Sequence, residues 1–207
     1  MPNLADLLSR SAVERPNSVA IRLDDGEVSY AALDEAAARA AALLRARGVG
    51  PGDRVGIMLP KVAYFPICYY GALRLGPAVV PMNGLLKEGE VAFHLRDSGA
   101  KVLLAWHGCA DAALAGAEQT GAECVLVEPG GFDQLLERCP PADEVAPRRP
   151  DDTAVILYTS GTPKGAELTH HNLLRNVEVT VGILKLDKRS MTLGALPFFH
   201  AFGQTCA

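Results

Sequence analysis

The feature that most constrains this chain is a series of short, continuously apolar stretches separated by segments with helical periodicity. Residues 54–59, 78–81, 101–105 and 124–127 are compact apolar runs, each flanked by Gly, Pro or charge. Between them, residues 62–73, 88–97 and 110–119 repeat apolar positions every three to four residues. A strand that is apolar on both sides has no solvent face, so both faces of its sheet must be covered. The alternation therefore predicts an α/β fold of mixed, mostly parallel sheets layered with helices, not a β-sandwich.

The remaining segments fit the same scheme. Leu4, Leu7, Leu8 and Ala12 form a helical stripe that Pro16 closes. Residues 19–23 alternate as a strand, and the Asp24-Asp25-Gly26-Glu27 turn leads into residues 28–30, which reads as a hairpin. Ser29 can cap an alanine-rich helix with the stripe Leu33, Ala37, Ala40 and Leu44, ending at Gly48. Residues 139–152, with proline at 140, 141, 147 and 150, are the best linker candidate. They divide a first α/β subdomain, 1–138, from the start of a second, 153–207. In the second, strands are expected at 153–159 and 192–196, with a helix at 172–184.

Composition excludes some functions. With 49% hydrophobic and 21% charged residues the chain resembles a soluble globular protein, and a net charge of −4 argues against nucleic acid as the main partner. The cysteines at 68, 109, 124, 139 and 206 have neither zinc-site nor dithiol spacing. No basic-then-apolar leader opens the chain, so reduced thiols in a cytoplasm is the simplest expectation. The most apolar stretch, 62–73, contains Pro66 and is too short to cross a bilayer.

The segment with chemical content follows the strand at 153–159. Thr159, Ser160, Gly161, Thr162, Pro163, Lys164 and Gly165 place three hydroxyls, two glycines and an ammonium in one loop. Glycine lets backbone amides approach a polyanion, hydroxyls donate to phosphate oxygens, and lysine compensates charge. The Walker pattern is absent, because Lys164 precedes Gly165 and no hydroxyl follows. Taken alone, such a loop is more often a plain turn, and Lys164 an ordinary surface lysine. By the same standard His170 and His171 read as cap or packing residues, and His94 and His107 as surface or helix residues. Cys68 reads as a buried small hydrophobe, and Glu88, Glu90, Arg96 and Asp97 as solvated helix faces.

The flanks make the loop specific. Tyr158-Thr159-Ser160-Gly161-Thr162, then Pro163-Lys164-Gly165 and Leu168-Thr169-His170, resembles the phosphate loop of the adenylate-forming superfamily, Y-T-S-G-T-T-G-x-P-K-G. Ser29-Tyr30, Gly50-Pro51-Gly52-Asp53-Arg54 and Pro81-Met82-Asn83 are similar to that family's early segments. Leu196-Pro197-Phe198-Phe199-His200-Ala201-Phe202-Gly203 is similar to its L-P-x-F-H-x-x-G segment. The whole pattern is most like medium- and long-chain fatty acid–CoA ligases. Against the family's form, three residues are absent between Thr162 and Pro163. A chain truly shortened there would lose a glycine and several amides; the intact flanks favour a loop tip missing from the sequence over a broken site.

The resemblance implies ATP, Mg²⁺ and coenzyme A as reactants and cofactors, and a fatty acid as substrate. It implies that Thr159, Ser160, Gly161, Thr162, Lys164 and Gly165 bind phosphate and that His200 lies near the carboxylate. It implies no nucleic-acid partner and no transmembrane segment, leaving peripheral membrane contact and oligomeric state open. Within the same class an aryl or hydroxycinnamate ligase, or an adenylation domain serving a carrier protein, is the alternative. A non-catalytic nucleotide-binding module with a shortened loop is the alternative outside it. Family members are more than twice as long, with adenine, ribose and Mg²⁺ contacts and a catalytic lysine further on. These residues alone are therefore expected to be inactive and, with apolar faces uncovered, to aggregate.

Overall fold

The computed structural model describes residues 3–23, 26–142, 144–159, 164–201 and 203. Helix α1 (Asp6–Glu14) is followed by the antiparallel hairpin β1 (Val19–Leu23) and β2 (Gly26–Ser29). Helix α2 (Tyr30–Arg45) begins where expected, with Ser29 Oγ accepting the Ala32 N–H at 3.2 Å. Then come β3 (Arg54–Met58), α3 (Tyr64–Leu75), β4 (Ala78–Pro81), α4 (Glu88–Ser98) and β5 (Val102–Trp106). The chain continues through α5 (Ala110–Glu118), β6 (Glu123–Val127), α6 (Gly131–Glu137), β7 (Thr153–Tyr158), β8 (Gly165–Thr169) and α7 (His170–Leu184).

The strands from β3 onward form one sheet in the order β6-β5-β3-β4-β7-β8, parallel except for β8 against β7. This is the expected mixed, mostly parallel α/β sheet. Successive residues of β3 point to opposite faces. Val55 and Ile57 join the core built with α1, α2, α3 and α6, and Met58 joins the core built with α4 and α5. Alanine in α2 and glycine in α3 let those two helices meet closely. A Cβ on Gly71 would stand 2.7 Å from Ala40 Cβ and 2.8 Å from the Ala37 carbonyl oxygen.

Residues 139–152 do not behave as a loose connection. Ala142 N–H donates to Ala38 O, Arg74 Nε donates to Ala142 O, and Ala146 N–H donates to Arg74 O at 2.8 Å. Asn3 Nδ2 closes the strap by donating to both Leu73 O and Ala146 O. Beyond the strap, β7 pairs with β4, so among the described residues the segment joins parts of one sheet. The sequence had suggested a link between separate subdomains, because proline density marks chain that lacks regular structure without saying whether it is packed.

Further expectations need correction. Residues 192–196 form no strand; they are exposed, and the Ala195 carbonyl accepts from Lys61 Nζ, not from a neighbouring strand. Strand β8 was read as loop, and α6 was missed. His94, assigned to surface or helix, is on α4 but only 7% exposed.

Candidate functional site

The loop of interest is the connection of the antiparallel hairpin β7–β8. Tyr158 pairs with Gly165 across its base. Above that pair, Thr159 N–H donates to Lys164 O at 3.1 Å and Lys164 N–H donates to Thr159 Oγ1 at 3.3 Å. These two bonds close the neck, with Thr159, Lys164 and Gly165 all solvent-exposed. Ser160, Gly161 and Thr162, the other phosphate-binding candidates, lie outside the described residues.

The neck rests on α4. The Tyr158 ring stacks on the His94 ring at 4.1 Å between centroids and 14° between planes, with Phe93 edge-on at 6.1 Å. The Tyr158 hydroxyl donates to Asp97 Oδ2 at 2.7 Å. Burial, reinforced by that neighbouring carboxylate, pushes the Tyr158 phenol well above the usual tyrosine range. Burial also holds His94 below an ordinary histidine, although Glu90 and Asp97 pull the other way. A cavity of about 400 Å³ lies beside the anchor, lined by Asp97, Arg148, Thr153, Tyr158, Gly165 and Glu167, among others.

The residues after the loop are folding devices. Thr169 Oγ1 accepts the Asn172 N–H and Asn172 Oδ1 accepts the Thr169 N–H, both at 3.1 Å, a reciprocal cap that starts α7. His170 is fully buried, and its Nδ1 accepts the Leu4 N–H at 3.0 Å. His171 donates its N–H to Pro150 O. His170 thus has the packing role expected of it, while the His171 side chain is exposed.

His200 lies in the segment after α7. It is exposed, its ring lies 4.6 Å from Phe199, and its segment is pinned by Phe198 on Phe65 at 5.3 Å. Lys61 Nζ also donates to Ala195 O. Phe198 packs on the core built with α3, whereas the Tyr158 ring packs on the core built with α4. Asp97 and His94, which the sequence reading set aside, are the residues actually touching the loop's base. Their i, i+3 spacing places both on one helix face, but nothing in that spacing ties the face to Tyr158.

The AMP-binding enzyme family model matches residues 8–207. The chain belongs to the AMP-binding enzyme family. Among curated members, it is 34% identical to the long-chain-fatty-acid–CoA ligase FadD13 of Mycobacterium tuberculosis, over 99% of this chain and 42% of that protein. It is 36% identical to a feruloyl-CoA synthase of an Amycolatopsis species, over 95% of this chain and 40% of the relative. Among solved structures, a benzoate CoA ligase of Burkholderia xenovorans LB400 superposes with a TM-score of 0.92 at 29% identity, covering 100% of this chain and 42% of that one. The chain thus spans about two-fifths of the length of these family members.

Among the described residues no group of three or more His, Cys, Asp or Glu could hold an ion. Mg²⁺ associated with nucleotide needs few protein carboxylates, since phosphate and water oxygens supply most of its ligands. No helix among the described residues is long and apolar enough to cross a membrane.

Proposed function

We propose that the protein containing this chain is an ATP-dependent acid–thiol ligase that activates a fatty acid and passes it to coenzyme A. In the first half-reaction a carboxylate oxygen attacks the α-phosphorus of ATP; the bond to the bridging oxygen breaks, and pyrophosphate leaves with its electron pair. In the second, the coenzyme A sulfur attacks the acyl carbon, the thiol proton is lost, and AMP leaves. The observation that carries the proposal is the family match through the β7–β8 hairpin, whose closed neck presents Thr159 and Lys164 to solvent.

In this reading Thr159, Ser160, Gly161, Thr162, Lys164 and Gly165 hold the β- and γ-phosphates. Such a reaction needs fixed positive charge and donors more than covalent help. His200 orients the carboxylate or the incoming thiol. Mg²⁺, when bound, would supply further charge at the phosphates. The fatty acid assignment is supported by the mycobacterial relative and by the Pro81-Met82-Asn83 and His200-Ala201 segments. A second reading, an aryl or hydroxycinnamate ligase, is favoured by the feruloyl-CoA synthase at 36% identity.

Pyrophosphate release by the whole protein, measured against a panel of carboxylic acids, separates these readings. Turnover of long-chain fatty acids is the expected result. Turnover of coumarate or ferulate with none of palmitate selects the second reading. ATP binding without pyrophosphate release for any acid would leave a nucleotide-binding module with a shortened loop.

A further inference from the structure

We propose that His94 and Asp97 are positioning residues for the ATP-using step: α4 grips the Tyr158 side chain and so sets where the neck of the adjoining loop presents Thr159 and Lys164. This rests on the loop's proposed role as the polyphosphate cradle. Tyr158 is the last residue of β7 and is bonded to Thr159, the first candidate donor. Consecutive Cα atoms are only about 3.8 Å apart, so a swing of the Tyr158 backbone displaces Thr159 with it.

The ring is fixed in two independent ways. Its face lies on the His94 imidazole at 4.1 Å, and its hydroxyl is held by Asp97 at 2.7 Å. The stack alone would leave the ring able to slide; the carboxylate removes that freedom. The opposite strand passes beside the same ring. A Cβ on Gly165 would stand 3.4 Å from Tyr158 Cζ and 3.0 Å from Ile156 Cγ2. The returning strand thus lies against the ring at ordinary contact distance, while Ile156 is the neighbour that would crowd a side chain at 165.

Hydrogen bonding does not account for the histidine. His94 Nδ1 is buried without a hydrogen-bond partner among the described residues. Leaving such an atom unpaired is unfavourable. What His94 supplies is a flat, neutral surface under Tyr158. Donors that hold transition-state charge lose much of their effect when shifted by a fraction of a bond length, so a grip on the loop's base acts on rate.

The test separates the two half-reactions in the whole protein, using Tyr158→Phe, Asp97→Ala, the double variant and His94→Leu. Pyrophosphate release is followed with ATP and a turned-over acid; thioester formation is followed from preformed acyl-adenylate and coenzyme A. Pyrophosphate release should fall about tenfold in Tyr158→Phe and in Asp97→Ala, with the double variant no slower than the slower single one. His94→Leu should fall in the same direction. KM for the acid and the thioester-forming rate should not move, because pyrophosphate has already left. Asp97 is exposed, so its substitution probes the contact without disturbing the core. Unchanged pyrophosphate release with a lowered melting temperature would reduce the contact to packing and overturn the proposal. So would equal losses in both half-reactions. An unsubstituted protein that releases no pyrophosphate with any acid would instead sink the ligase reading, and this proposal with it, before any variant is made.

Discussion

His170 Nδ1 accepts the backbone N–H of Leu4 at 3.0 Å, tying the start of α7 to the start of the chain across the strap at 139–152. The bond requires an unprotonated Nδ1. Burial, with Arg148 nearby, lowers the His170 pKa to about 4, while Asp152 opposes the shift weakly. In the unfolded chain the same group titrates near 6.5. The unfolded state therefore binds more protons between these values, and stability rises with pH across that window. The contribution is fully present above pH 6.5, and it is lost as pH falls towards 4, amounting to about 3 kcal/mol at most. Urea unfolding from pH 4 to 7 should show this slope, and His170→Leu should flatten it while lowering stability at pH 7. An unchanged slope in the variant would assign the acid sensitivity to other groups.

A second prediction concerns Arg74, which is 7% exposed on α3. Its Nη1 meets Asp34 Oδ1 at 2.7 Å and Ser9 Oγ at 3.2 Å, and its Nε holds Ala142 O. One guanidinium thus joins α1, α2 and the 139–152 strap. Arg74→Met removes the cation and leaves the Asp34 carboxylate with the Ser9 hydroxyl but without its guanidinium, which should cost about 3 kcal/mol. Combining it with Asp34→Asn should cost less than the sum of the single changes, because the second change removes the stranded charge. Additive losses by denaturant titration would show that the pair acts independently.

Two glycines in helices should respond oppositely to alanine. Alanine is favoured over glycine in a helix interior by about 1 kcal/mol. At Gly182, in α7, nothing lies within 4 Å of an added methyl, so Gly182→Ala should stabilise. At Gly71 the methyl would be driven into the Ala37 carbonyl, and backbone cannot yield as a side-chain tip does. Overpacking should outweigh propensity there, for a net loss of about 2 kcal/mol. Thermal melts of the two variants decide the matter; a stabilised Gly71→Ala would mean that α2 and α3 can separate freely.

How much of this could be read in advance follows from where each signal resides. Strands β3 to β5 were legible because burial on both faces writes itself as unbroken apolar runs. Helix α2 was legible because its cap and stripe are local. Strand β8 was not, since Gly165-Ala166-Glu167-Leu168-Thr169 has little intrinsic strand preference; the open edge of β7 makes it a strand. Residues 192–196 erred in the opposite sense, a strand being expected where the chain runs exposed without strand pairing. At the candidate site, the loop's residue types were readable, and so was the strand that leads into it. Its support was not, because Tyr158 and Asp97 meet across 61 positions and nothing local in α4 signals that contact.

The last prediction tests the charge at the loop. Lys164 is exposed at the neck, and its backbone is held by Thr159 through both of its polar groups. Those bonds involve main-chain atoms of Lys164, so Lys164→Met leaves the neck closed and removes only the ammonium. If that ammonium compensates the phosphates as charge builds on the leaving pyrophosphate, kcat for pyrophosphate release should fall by about 10²-fold with little change in melting temperature. Lys164→Arg keeps the charge but spreads it over a wider fork, so it should recover part of the rate. Equal rates in all three proteins would move the charge compensation to residues beyond this loop and leave Lys164 a surface lysine.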